Sequence, residues 1–311
     1  MKLLVSSAPH ITGKDSTASL MRDLIIAMVP AMAASVFFFG VQTLILTAVS
    51  VLACVAFEYL YEKMLKKPIT VGDLSAAVTG ILLAFNCPPT LPLWTVVVGA
   101  FFAIVIVKQL FGGLGYNFAN PAIVARIILG LGYTGLMTSW TFPATFSGDA
   151  VASATPLAVY AAGGTVNYLD MFVGSTGGVL GETSALALLL GFVYLVVRKV
   201  ISPTIPVTYV ATVAVLAVVL GVDPVVYVLG GGLLLGAIFM ATDYVTSPYT
   251  EKGKIIFGIG LGLITVIIRR FGSMTEGVSY AILLMNLVVP YINKATRQKP
   301  LGAPKAVKEA K

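Results

Sequence analysis

Apolar residues fill this chain in long runs broken by short polar turns, not in the stripes or alternation of a water-facing fold. A helix that crosses a bilayer needs about 20 mostly apolar residues. Runs of this kind predict ten spans, at 22–40, 41–60, 72–86, 92–110, 119–138, 183–200, 203–220, 225–242, 253–271 and 277–293. Two of them, 72–86 and 119–138, are short or interrupted by Gly and Pro, the pattern of broken helices. The interval 139–182 is rich in Gly, Ser, Thr and Pro, has few apolar runs and predicts a long loop. The expected fold is an all-α integral membrane protein.

The runs divide the chain into an N-terminal segment 1–21, five helices over 22–138, the loop 139–182, five helices over 183–293 and a tail 294–311. The halves look related. "IVIVKQLFGGLGYNFANPAIVAR" (104–126) and "ITVIIRRFGSMTEGVSYAILLMN" (264–286) each end a helix on a base, turn at Phe-Gly and start a new helix, 160 residues apart. Five helices is an odd number, so the second copy is expected to run through the bilayer upside down. Inverted repeats with broken helices are a transporter construction, with sites near the bilayer midplane. Chance likeness between Gly-rich membrane segments is the competing explanation.

Composition supports a membrane protein. The chain is 58% hydrophobic and 11% charged, with mean hydropathy +0.96, whereas soluble proteins carry about 25% charged residues. The net charge of +7 does not read as nucleic-acid binding. Its Lys and Arg cluster in a tail (Lys294, Arg297, Lys299, Lys305, Lys308, Lys311) and in one loop (Lys63, Lys66, Lys67), the kind of cluster that is retained in the cytoplasm. Residues 127–197 hold no Lys or Arg but include Asp149, Asp170 and Glu182, which places that stretch outside the cytoplasm, with both termini and the 61–71 loop inside. Arg269 and Arg270 resist this scheme, because it puts their end of the ninth helix outside. Either they bind an anionic group or lipid phosphate there, or the helix count is locally wrong. The polar residues that follow Met1-Lys-Leu-Leu argue against a cleaved signal peptide.

With Cys54, Cys87 and His10 as the only residues of their types, the chain cannot build a Cys₄ cluster or a bis-His haem alone. Three places could carry chemistry. In the loop, Asp149-Ala-Val-Ala-Ser153-Ala154-Thr155-Pro156 sets a hydroxyl among small residues; an ordinary surface loop has the same composition. The turn from Phe111 to Asn117 contains Gly112 and Gly113 and offers N–H groups to an anion or ring edge, or else allows close helix packing. Asn117, Asn120 and Arg126 follow it. An Arg six residues into a membrane helix is expensive, so Arg126 is expected to face protein or a cofactor. Asp243, in "MATDYVTSP" (240–248), is either a cation or proton relay at membrane depth or the cap of a broken helix at the cytoplasmic surface.

The loop segment resembles the flavinylation motif of the Rnf and Nqr electron-transport complexes, Asp-x-x-(Ser/Thr)-Gly-Ala-Thr. "LSAAVTGILLAFNCPP" (74–89), "KQLFGGLGYNFANPAIVAR" (108–126), "MATDYVTSP" and "EGVSYAILLMN" (276–286) are similar to the RnfD family of Rnf complexes, a relative of the NqrB family, in the same order over nearly the whole chain. Asp149, Ala154 and Thr155 keep their places in the motif, while Ala152-Ser153 stands where the family has Ser/Thr-Gly. The resemblance implies FMN joined by a phosphoester to Thr155, installed by an FMN transferase, and a second, non-covalent flavin such as riboflavin in the membrane body. Gly112, Gly113, Asn117, Asn120 and Arg126 are the candidate contacts for that second flavin. A transferase must reach the Thr155 hydroxyl, so exposure on a flexible loop is expected; Asp149 either assists as a hydrogen-bond acceptor or metal partner, or is a solvated loop acid.

Two readings follow. In the first, the chain is the membrane flavoprotein subunit of an ion-translocating ferredoxin:NAD oxidoreductase, coupled to Na⁺ or H⁺ export and inactive alone. No strand followed by G-x-G-x-x-G is legible, so electrons must enter and leave through other subunits. The basic tail is either a cytoplasmic contact for them or a solvated tail. In the second reading, the chain is a stand-alone solute channel or transporter with an inverted-repeat pore and no flavin.

Overall fold

The structure, a computed structural model, describes residues 16–140, 154–272 and 277–297. Every regular element among these residues is helical. In chain order the main helices are α1 (Thr17–Phe39), α2 (Gln42–Met64), α3 (Ser75–Phe85), α4 (Leu93–Gln109, π-helical over its second half), α5 (Pro121–Gly132), α6 (Pro156–Ala161), α7 (Tyr168–Val173), α8 (Ala185–Val197), α9 (Thr204–Val219), α10 (Pro224–Leu229), α11 (233–240, π-helical from Gly236), α12 (Glu251–Phe271) and α13 (Val278–Thr296). Helices α1, α2 and α13 are long and apolar enough to cross a membrane, and α3, α4, α5, α8 and α9 are shorter apolar helices. Each of the ten apolar runs thus contains helix, in a membrane protein.

Helix α2 shows why these residues fold as they do. Its buried side is Thr43, Leu46, Thr47, Ser50, Cys54, Glu58 and Glu62, polar or small but for Leu46, while Leu44, Ile45, Leu52 and Leu60 face outward. The polarity is inverted relative to a soluble helix: lipid receives the apolar face, and the small and polar residues pack inside, where close approach and hydrogen bonds hold membrane helices together. Against this stripe lie α3 and α4. At Gly80 the α3 backbone comes so close that an added Cβ would sit 2.7 Å from Val51 Cα, and Ser50 Oγ donates to the Gly80 carbonyl at 2.7 Å. Helix α9 packs on α12 through Gly258 and Gly262, where a Cβ at Gly262 would lie 2.6 Å from Thr212 Cβ. Helix α1 packs on α8, and α5 on α3, α4 and α13.

Three sequence expectations change. The run 225–242 is not one helix: it breaks after Leu229 at Gly230, Gly231 and Gly232, the last two with φ of 68° and 69°. The run 119–138 is helical only over Pro121–Gly132, with a separate turn of helix at Thr134–Met137. The interval 139–182 is not simply a loop. It contains α6 and α7, and its end is packed into the core, with Val179 and Leu180 almost fully buried. There the N–H groups of Leu180 and Gly181 donate to the carbonyls of Cys87 (3.1 Å) and Phe85 (2.9 Å), and Ser35 Oγ donates to the Leu180 carbonyl. The carbonyls at the end of α3 have no partner within their own helix, so this segment enters the bundle to satisfy them.

Candidate functional site

Thr155 is the N-cap of α6. Its Oγ1 accepts from Ala158 N–H at 3.3 Å, and Pro156 follows at the first helical position, which its fixed φ suits. The residue is 9% exposed, so the expected open exposure of Thr155 is not met: capping turns the hydroxyl back toward its own helix. Ala154 is exposed, whereas Asp149 and Ser153 lie outside the described residues. Asp223, the N-cap of α10, anchors this region. The Tyr168 hydroxyl donates to Asp223 Oδ2, and the Tyr160 hydroxyl accepts from Asp223 N–H at 2.9 Å. Burial pushes the Asp223 carboxyl up, but the bonds from Tyr168 and from Val225 and Val226 N–H outweigh it and leave it below the ordinary carboxylate range.

Beneath Thr155, Leu157 packs on the glycine break between α10 and α11, and a Cβ added at Gly231 would run into both Leu157 and the Arg269 guanidinium. Arg269 reaches in from the last turn of α12 and donates to the carbonyls of Tyr227, Gly230 (2.9 Å) and Gly231 (3.0 Å), over the Tyr227 ring at 5.7 Å. The base that resisted the charge scheme is therefore buried. It terminates a broken helix and is not turned out to lipid phosphate; Arg270, beside it, is exposed.

The remaining candidates divide between two cavities. A cavity of about 60 Å³ is lined by Ser75, Thr79, Lys108, Asn117, Asn120 and Asp243, among others. Asn120 caps α5, accepting from Ala122 and Ile123 N–H, and donates to the Met240 carbonyl at 3.3 Å. Asp243 accepts from Thr246 Oγ1 at 3.0 Å. Arg126 belongs elsewhere: it donates to the Asn86 carbonyl (3.4 Å) and Ser279 Oγ (2.6 Å) and lines a cavity of about 10 Å³ with Glu182 and Gly232. Gly112 and Gly113 line neither cavity; their positive φ values of 121° and 95° form a tight turn around Tyr116. The five residues expected around a second flavin are not brought to one site. The larger of the two cavities is also far below the roughly 300 Å³ of small ligand pockets.

A polar cluster stands behind the larger cavity. Lys108 Nζ sits 2.6 Å from Glu58 Oε1 and 2.6 Å from Ser75 Oγ. Gln109 Nε2 donates to Glu58 Oε1 (2.8 Å) and Glu62 Oε1 (3.3 Å), and Glu62 also accepts from Thr70 N–H (2.9 Å) and the Thr70 hydroxyl. Asp73 accepts from Ser75 N–H at 2.7 Å and from its hydroxyl.

A family model described as the NQR2, RnfD, RnfE family matches residues 4–302. The chain belongs to this family. It is 52% identical to the D subunit of the Na⁺-translocating ferredoxin:NAD⁺ oxidoreductase complex of Acetobacterium woodii, over 100% of this chain and 99% of that one. It is 40% identical to the D subunit of the proton-translocating ferredoxin:NAD⁺ oxidoreductase complex of Clostridium ljungdahlii, over 96% of each chain. It is 37% identical to the D subunit of the ion-translocating oxidoreductase complex of Methanosarcina acetivorans, again over 96% of each.

The Glu58–Lys108 cluster is the feature that sequence reasoning missed. The predicted span ends at residue 60, which leaves Glu62 in a loop and Glu58 without a role. The legible signal was spacing: Ser50, Cys54, Glu58 and Glu62 recur every four residues along one helix face, and an acid on a face shared with Ser and Cys inside a membrane helix is a buried acid.

Proposed function

We infer that this chain is the membrane-embedded RnfD-type component of an ion-translocating ferredoxin:NAD⁺ oxidoreductase complex, carrying FMN on Thr155 and acting only with its partner subunits. Carrying the inference is end-to-end likeness to the D subunits of such complexes, combined with Asp149, Ala154 and Thr155 standing in the order of the flavinylation motif. The site accommodates the group at a small cost. The Thr155 hydroxyl is held by one backbone N–H, and losing such a cap costs about 0.5–2 kcal/mol. That is little enough for the side chain to turn outward past exposed Ala154 to a transferase. A phosphoester at Oγ1 keeps acceptor oxygens for Ala158 N–H. When bound, FMN supplies one- and two-electron redox chemistry. The protein tethers it, and the Asp223 anchor fixes where the tether leaves the bundle.

The inverted repeat belongs to the same proposal and has support in a pair of matching hydrogen-bond sets between the halves. Arg126 donates to the Asn86 carbonyl and reaches Ser279. At the same 160-residue offset, with the Asn286 amide turned so that its oxygen faces donors and its nitrogen faces acceptors, Asn286 donates to the Thr246 carbonyl at 3.1 Å and accepts from Asn120 N–H at 3.1 Å. Each half thus ties to its own broken segment and to the first turn of the other half's last helix. Asp243 and the cavity it shares with Lys108 form the proposed ion route, and the 154–174 segment is proposed to lie outside the cytoplasm. The test is a denaturing gel of the chain co-produced with an FMN transferase. A fluorescent flavin band is expected for wild type and none for Thr155→Ala; a band that persists in the alanine variant sinks the assignment.

A further inference from the structure

Three charged side chains, Glu58, Glu62 and Lys108, meet where α2 faces α4, and all are almost wholly withdrawn from solvent: Lys108 is 3% exposed and Glu58 is 0%. Two carboxylates against one ammonium leave a net charge of −1 in the bundle interior. Among the described residues, the other charged groups nearby do not cancel it. Asp73 adds negative charge at the edge, and Asp243 lines the same cavity as Lys108. Lys63 and Lys67 lie over the Tyr59 and Tyr61 rings instead. A buried, uncompensated charge costs several kcal/mol, so the cluster with both acids ionised lacks one positive charge.

The oxygens say which cation supplies it. Glu62 is fully engaged by Thr70 and Gln109, and Glu58 Oε1 by Lys108 and Gln109. Glu58 Oε2 is buried with no hydrogen-bond partner. One free carboxylate oxygen is a place for a proton. It is no coordination shell for a metal cation, and among the described residues no three acidic, His or Cys side chains gather as one. Lys108 and Ser75 both line the 60 Å³ cavity, which has room for a short chain of waters.

We propose that Glu58 is a proton-binding relay group in the membrane interior, loaded from the Asp243-lined cavity through Lys108. This rests on the chain belonging to an ion-translocating complex. The Lys108 Nζ–H bond breaks as a Glu58 Oε1–H bond forms along the 2.6 Å contact, and the carboxyl then turns so that its protonated oxygen takes the unpartnered position and its other oxygen faces Lys108 and Gln109. The neutral amine then takes a proton from a hydronium that reaches it along the cavity water, leaving neutral water behind, and the trio, one proton richer, is uncharged. Release reverses the steps.

The experiment uses inverted membrane vesicles holding the whole complex, supplied with reduced ferredoxin and NAD⁺. NADH formation, dye-reported proton uptake and ²²Na⁺ uptake are followed together. In Glu58→Gln, NADH formation is expected to persist while proton uptake falls to background. Glu58→Asp should recover part of the uptake, and the exposed control Glu251→Gln should behave as wild type. Wild-type proton uptake by Glu58→Gln, or ²²Na⁺ uptake without proton uptake in wild type, overturns the proposal. Absence of ferredoxin-dependent NADH formation in wild type instead overturns the reading of the complex. Should Glu58→Gln not assemble, infrared difference spectra of the wild-type and Glu58→Asp complexes decide. A protonated-carboxyl band that shifts in the Asp variant supports the relay, and its absence from both refutes it.

Discussion

Replacing Arg269 by Leu removes the donor from three carbonyls, those of Tyr227, Gly230 and Gly231, at a break buried from both water and lipid. A buried acceptor left without a partner costs about 1–3 kcal/mol. Three of them set an upper range, and the glycine turn relaxes enough to recover part, so the expected loss is about 3–5 kcal/mol. Since 1 kcal/mol moves Tm by roughly 2–4 °C in a domain of 150–250 residues, the variant should melt about 10 °C below wild type. Arg269→Lys keeps the charge but not the planar fork that reaches three acceptors, and should fall between the two. Arg270→Leu is the control: its side chain is exposed, and surface changes of that kind stay within about 0.5 kcal/mol. Fluorescence-detected size exclusion of detergent-solubilised protein, heated in steps, gives all three midpoints. Equal midpoints for Arg269→Leu and Arg270→Leu would refute the carbonyl-capping argument.

Lys108→Met strands Glu58 without its cation and should cost about 3–5 kcal/mol, most of it recovered in Lys108→Met with Glu58→Gln; the same heating assay tests this, and additive losses would show that the pair is not coupled. Gly262→Leu drives a side chain into Thr212, 2.6 Å from where its Cβ would stand, and should yield aggregated protein on size exclusion while Gly72→Leu, in open space, does not. Thr165→Cys is exposed between α6 and α7, and Cys54 and Cys87 are buried, so membrane-impermeant maleimide added to intact cells should label the variant alone; labelling only after permeabilisation would reverse the proposed sidedness.

Hydropathy is a property of a run of residues, so the sequence alone determined the membrane class and where the long apolar helices lie, but not the short helices α6 and α7. Breaking is partly local as well, which is why the turn from Phe111 to Asn117 was legible, although the break at Gly230, Gly231 and Gly232 was read as continuous helix. Partnership is not local. Glu58 and Lys108 are 50 residues apart, and only the packing of α2 on α4 makes them an ion pair. Arg269 looked like a surface base until the broken end of α10 came to lie within its reach. The end of the 139–182 interval has the composition of a loop, yet it is buried because the end of α3 offers carbonyls that its N–H groups can satisfy. Thr155 turned inward for the same reason, toward the nearest unsatisfied N–H. In a bilayer every backbone polar group must find a partner inside the protein, and at a helix break which partner it finds is settled by the three-dimensional packing of segments far apart in the chain.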